Sequence, residues 1–287
     1  PLWGQNLVPN PSFEDLLTCP NVFGGICTGL AINWSCGNSA TTDLFNECSS
    51  NVQWGVPSNA FGTETPVSGV GYAGMVCKFV TPNYREYVLA QLTTPLTAGT
   101  WYTVSFYISL AESSCGSNHI GAYLSATSPY LAQWTVLPET PQIDYAFGGY
   151  LSESNGWTLI TGCFQAEGGE EYITIGNFHD DTETSYDPNC GSGLSYYFID
   201  EVSVVEGNAP EELIFDLGGP EFACNEYVID PGLSGYYYVW EDGSNGPTLT
   251  VNETGTYSLT ISDGCNTGVD SIEVTIGGNN PPVDLGP

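Results

Sequence analysis

Between Tyr196 and Val205 the chain reads Tyr-Tyr-Phe-Ile-Asp-Glu-Val-Ser-Val-Val. Phe198, Asp200, Val202 and Val204 share one parity; Tyr197, Ile199 and Val205 share the other. A period of two with both faces largely apolar predicts a central strand buried on both sides. Asp200 interrupts the apolar set. A carboxylate on a buried parity needs a hydrogen-bond donor or a cation beside it.

The same period recurs along the chain. It predicts strands over residues 6–14, 72–79, 87–92, 101–111, 119–125, 142–148, 158–166, 172–177 and 196–205. Within 101–111, Tyr102, Val104, Phe106 and Ile108 take one face, and Trp101, Thr103, Ser105, Tyr107 and Ser109 the other. Pro9 and Pro11 place the first strand at an edge or an irregular entry, because proline cannot donate to a ladder. Residues 15–70 are rich in Gly, Asn, Ser and Thr and poor in alternation, so they read as a large loop region anchored by Trp34 and Trp54. Many antiparallel strands separated by turn signals predict a jelly-roll β-sandwich over residues 1–206. Residues 207–212, Gly-Asn-Ala-Pro-Glu-Glu, read as a linker. Residues 213–278 predict a second, smaller β unit, whose resemblance to Ig-like sandwiches is taken up below, with strands at 238–240, 248–251, 256–261 and 271–276. The expected class is therefore all-β. Residues 279–287 echo the Ile-Phe-Asp-Leu-Gly-Gly-Pro of 214–220 and read as a linker or the start of a further repeat, so the expectation is that the chain is the N-terminal portion of a longer protein.

Composition narrows the functional classes. Apolar residues make up 41% of 287 positions, enough for two cores. Only Lys78 and Arg85 are basic against 33 acidic residues, for a formal charge of -31. No basic patch can be assembled from two residues, which excludes nucleic acid as a partner and disfavours anionic membranes. No run is apolar enough to insert in a membrane as a helix. Ten cysteines with two histidines and no Cys-x-x-Cys point to disulfides in an oxidising exterior compartment and leave a zinc site little to stand on. Cys224 and Cys265 are the last two cysteines and are expected to pair; Cys27, Cys36, Cys77, Cys115, Cys163 and Cys190 leave several pairings open.

Several stretches carry a resemblance. "NLVPNPSFE" (6–14), "AGTWYTVSFYISLAES" (98–113), "GGEEYITIGNF" (168–178) and "YYFIDEVSV" (196–204) together resemble the carbohydrate-binding-module-like jelly rolls of secreted Bacteroidota proteins. "YYYVWEDGSNGPTLTVNETGTYSLTISDGC" (236–265) is similar to the Ig/PKD-like repeats of that phylum's surface proteins. The resemblance implies a secreted, non-catalytic cell-surface protein of the gliding- or adhesion-associated type, with an extracellular glycan or surface as partner. It implies a structural calcium ion held by Glu14 and Asp200, and a Cys19–Cys48 disulfide from the Cys-Pro and Phe-Asn-Glu-Cys segments. It also implies sugar stacking on exposed aromatics, for which Trp54, Tyr107, Tyr123, Tyr130 and Trp134 are the candidates. Cys115 and His119 in "SSCGSNHIGAYLS" depart from the family pattern. The alternative from another class is a subunit of an extracellular filament or sheath, whose partners are copies of itself.

Catalytic signatures are missing. There is no Gly-x-Ser-x-Gly, no His-Glu-x-x-His and no Cys–His nucleophile pattern. His119 and His179 read as loop or rim residues. Asp180, Asp181, Glu183 and Asp187 fall in one loop without EF-hand spacing; a solvated loop is the expectation there, with a second cation site as the alternative.

Overall fold

A computed structural model describes residues 4–145, 149–191 and 193–277. One compact unit ends at Ala209 and the second begins at Pro210, inside the stretch read as a linker.

The first unit contains β1 (Trp34–Cys36), β2 (Asp43–Asn46), β3 (Gly71–Phe79), β4 (Tyr87–Gln91), β5 (Trp101–Leu110), β6 (Gly121–Ser125), β7 (Ile143–Asp144), β8 (Thr158–Gln165), β9 (Tyr172–Gly176) and β10 (Leu194–Glu206). They form two antiparallel sheets, ordered β1-β4-β9-β6-β7 and β2-β3-β10-β5-β8. From β3 onward the chain crosses from one sheet to the other at nearly every step, which is jelly-roll winding. Ala73, Met75 and Cys77 of β3, Tyr197 and Ile199 of β10, and Val104, Phe106 and Ile108 of β5 are fully or almost fully buried between the sheets.

The outer faces explain why so many strands look apolar on both sides. Phe45, Tyr72, Val76, Tyr196 and Phe198 lie on the outer face of the second sheet, and the segment after β2 roofs them with Trp54 and Phe61. Tyr87 lies on the outer face of the first sheet under Leu137 and Phe178. Trp54 is therefore a core side chain, 2% exposed, packed against Phe45 and Phe23. It is not the sugar-stacking surface residue expected of it, because a strand with two apolar faces needs a second layer of aromatics above it.

Three further expectations are corrected. Residues 6–14 are not a strand. The segment runs beside β10 through the Leu7 N–H to Val204 O bond (2.9 Å), the Val202 N–H to Pro11 O bond (3.0 Å) and the Asn6 side chain, but makes no regular ladder. Pro9 and Pro11 cannot donate, and Asn10 and Phe13 take positive φ values of 51° and 60°. Residues 15–70 are not wholly loop, since β1, β2 and a single 3-10 turn (Val52–Trp54) lie within them. The strand expected at 142–148 is only β7, with 146–148 outside the described residues. The parity of β10 also breaks. Ile199 pairs with Ile108 and Val204 with Val104, so both face inward, while Asp200 faces outward opposite Tyr107. A bulge between Asp200 and Ser203, with Glu201 at φ 52°, resets the register.

The second unit contains β11 (Glu221–Ala223), β12 (Tyr227–Ile229), β13 (Tyr237–Trp240), β14 (Leu249–Val251), β15 (Gly255–Ser262) and β16 (Thr267–Ile276). The sheet β11-β16-β15-β13 packs with the pair β12-β14 around Trp240, Leu259, Ile261 and Ile272 as the smaller sandwich. The terminal echo at 279–287 lies outside the described residues.

Disulfides join Cys19 to Cys48, Cys27 to Cys36 and Cys115 to Cys190. The Cys224–Cys265 pair does not form: Cys224 is an exposed free thiol and Cys265 is disulfide-bonded. Ala223 pairs in register with Ile276, at the far end of the ten-residue β16 from Cys265. At ~3.3 Å per residue that separation is about 30 Å, against the ~7 Å that a disulfide tolerates between Cα atoms. Alkylation of native, unreduced protein should mark Cys224, and unfolding without reductant should add Cys77, whose thiol burial pushes up to about 12. Peptide mass spectrometry reads both sites.

Candidate binding cleft of the first unit

Above the outer face of β2, β3 and β10 lies a cavity of about 380 Å³, within the size range of small-ligand sites. Its lining comes from separate segments. Phe23 reaches in from the turn after Cys19, Phe61 from the roofing segment, Phe79 from the end of β3, and Tyr84 from the β3–β4 turn. Val76, Leu194 and Tyr196 form the apolar floor, and Thr41, Asp43 and Glu86 supply the polar side. Phe61 stacks on Tyr196 at 3.8 Å between centroids and 8° between planes. Gly74 lies against Tyr196 where any side chain would collide with the phenol. Phe23 stays 63% exposed, so one wall of the cleft faces solvent.

Both carboxylates are held by donors. Asp43 accepts from the Gly24 N–H (2.8 Å) and the Tyr196 hydroxyl (2.9 Å). Glu86 accepts from the Thr41 N–H and hydroxyl (3.1 Å each), the Tyr84 hydroxyl (2.8 Å) and the Val76 N–H (2.9 Å). Burial raises the Asp43 carboxyl to about 7, and the Glu86 charge adds to it against the two hydrogen bonds. Burial raises Glu86 as well, with its four donors opposing. Through these bonds each carboxylate orients a tyrosine hydroxyl and backbone N–H groups beside the cleft. The arrangement offers aromatic faces beside acceptor oxygens in an acidic surround.

The sequence-derived residues fall in several places. Glu14 Oε1 accepts from the Val70 and Gly71 N–H groups at 2.8 and 3.0 Å. Asp200 is fully buried; its Oδ2 accepts from Val67 and Ser68 N–H (2.9 and 3.3 Å) and its Oδ1 from Glu201 N–H (2.8 Å). The two carboxylates thus converge on one loop, 67–71. Burial raises Asp200 to about 7 against those backbone bonds. Ser12 and Ser68 hydroxyls both reach the Glu201 carboxylate beside it. Tyr130 and Trp134 are exposed, and both lie in the segment between β6 and β7. Tyr107 is half-buried on β5, and Tyr123 packs edge-on to Phe178. None of these lines the cleft. Pattern reading missed Phe23, Asp43, Phe61, Phe79, Tyr84 and Glu86. The one available signal was the four-residue apolar-and-acidic run at Asp43–Asn46, every position of which is buried.

Because Asp43 rises from 3.8 to about 7 in the fold, the folded state holds a proton that the unfolded chain releases. Its contribution to stability is full below about pH 4 and is lost as pH rises toward 7. Asp43→Asn should therefore leave stability near pH 3.5 almost unchanged and raise it at pH 8 by on the order of 1–3 kcal/mol. Thermal unfolding at the two pH values checks the sign.

No protein-family model matches the chain, and no curated protein matches it. Solved structures do. The K1 cleaved adhesin domain of Lys-gingipain from Porphyromonas gingivalis W83 matches at 15% identity and a TM-score of 0.37, over 71% of this chain and 100% of that one. A cyclase from Fischerella sp. TAU matches at 12% identity and a TM-score of 0.43, over 71% and 98%. A structure described as CBM4 matches at 13% identity and a TM-score of 0.32, over 70% and 99%.

Proposed function

We propose that the chain is a non-catalytic recognition module of an extracellular surface protein, and that the first unit binds a neutral saccharide in the cleft. The observation that carries this reading is the pairing of aromatic walls with buried acceptors. Phe23, Phe61 and Phe79 present ring faces and edges, on which the C–H face of a sugar packs, while the Asp43–Tyr196 and Glu86–Tyr84 pairs border the same space. The net charge of -31 repels uronic, sialic and sulfated sugars. The Cys19–Cys48, Cys27–Cys36 and Cys115–Cys190 disulfides support an oxidising exterior compartment. No helix among the described residues is long and apolar enough to cross a membrane.

Calcium belongs to the same proposal. Glu14 and Asp200 each accept from backbone N–H groups of one segment, 67–71, and carboxylate oxygens are the donors that hard cations take. Bound between them, the ion would neutralise two acids and fix that segment against β10.

Two outcomes follow. On a glycan array with titration calorimetry, neutral oligosaccharides should bind and anionic ones should not. Phe23→Ala, at a side chain exposed enough to leave the fold intact, should weaken binding at least tenfold, or about 1.4 kcal/mol. Binding unaffected by Phe23→Ala and lost in Trp134→Ala would move the site to the exposed β6–β7 segment. Separately, calcium added to chelator-treated protein should raise the thermal midpoint, and Glu14→Gln should abolish that rise. A concentration-dependent particle size in light scattering would instead favour the filament subunit.

A further inference from the structure

The chain has two histidines, and the fold brings them together. Gly121 of β6 pairs with Gly176 of β9 and with Asp144 of β7, so three neighbouring strands share one end. His119 precedes that end on β6, His179 follows it on β9, and Asp144 stands opposite on the edge strand. The imidazoles stack at 3.9 Å between centroids and 22° between planes. His179 Nε2 is 2.7 Å from Asp144 Oδ2, and His119 Nδ1 is 3.8 Å from Asp144 Oδ1. All three donor atoms lie within 4.8 Å of one another.

Two features separate this cluster from an ordinary polar contact. His119 Nδ1 and Asp144 Oδ1 are buried atoms without a hydrogen-bond partner, and both belong to the converging set. The outer nitrogen of His179 is meanwhile oriented by Glu183 at 3.1 Å, the carboxylate–histidine relay that fixes a ligand's tautomer. The loop that carries His179 is itself pinned. Lys78 and Arg85 both bind Asp181 two residues on, at 2.8 and 3.0 Å, and Arg85 also donates to the His179 carbonyl at 2.7 Å.

We infer that His119, Asp144 and His179 form a divalent transition-metal site, with zinc the ion of best fit and Glu183 its positioning residue. Two imidazoles and one carboxylate are borderline donors, which suit zinc and disfavour calcium or magnesium. Tetrahedral zinc takes donors at about 2.0–2.2 Å, so the set closes by roughly an ångström as the stacked rings splay. Three protein donors leave one coordination position for water or for a group from a bound partner. The ion ties the ends of β6, β7 and β9 at a place that shares no residue with the cleft or with Glu14 and Asp200.

The test uses metal alone on the whole chain. Chelator-treated protein, dialysed free of chelator, is titrated with Zn2+ in millimolar Ca2+, which occupies the non-specific acidic surface. One equivalent should bind, and Co2+ in its place should give the intense visible absorption of a four-coordinate site. His119→Gln and His179→Gln should each abolish both signals with far-ultraviolet circular dichroism unchanged. Glu183→Gln should weaken binding about ten- to a hundredfold. Zinc uptake that calcium displaces, or that persists in the double histidine variant, would overturn the assignment. So would a cobalt spectrum of six-coordinate character.

Discussion

Everything in the first unit leans on one carboxylate. The chain carries two cations, and both bind Asp181. Arg85 is completely buried, and Lys78 nearly so. A buried ion pair adds little over an apolar pair of the same shape, but removing one partner leaves a charge stranded in the interior. Position 85 is also a backbone junction. Its N–H donates to Trp134 O, its carbonyl accepts from the Asn38 side chain, and its guanidinium donates to Tyr84 O and His179 O. Its sequence neighbours Tyr84 and Glu86 line the cleft, so the same residue ties the cleft wall, the β6–β7 segment and the histidine-bearing loop together.

The consequence for the surface is an acidic shell with no exposed cation to balance it. Burying Lys78 and Arg85 makes the exterior uniformly repulsive to anions and receptive to metal ions and neutral ligands. Inside, aromatic residues take the place of a larger core. The sandwich is roofed on both outer faces, so Tyr72, Tyr87, Tyr196 and Phe198 are fully buried though they point away from its centre. The cleft is the gap left where the roof over β3 and β10 is incomplete.

What the sequence disclosed follows from this layering. Long strands with strict alternation, such as β5, declared themselves because one face is half-open and polar. β2 did not, since all four of its residues are buried and no period survives. Residues 6–14 carried a strand's composition, but two prolines removed the donors that a ladder requires. The inward turn of Val204 was hidden by a one-residue bulge, which period counting cannot see. The cleft was illegible because its residues come from stretches far apart in the chain. The histidines were visible as residues and not as a pair, because only the β6–β9 register places position 119 beside position 179.

The dependence on Asp181 is open to a direct measurement: calorimetric unfolding of Asp181→Asn, which keeps the shape and removes the charge. With Arg85 left buried and unpaired, the loss should be about 3–5 kcal/mol, lowering the midpoint of the first unit by about 10 °C. A midpoint within a degree or two of the parent would mean that packing alone holds the β9–β10 loop. In that case the clamp would not be the constraint on which the cleft and the histidine cluster rest.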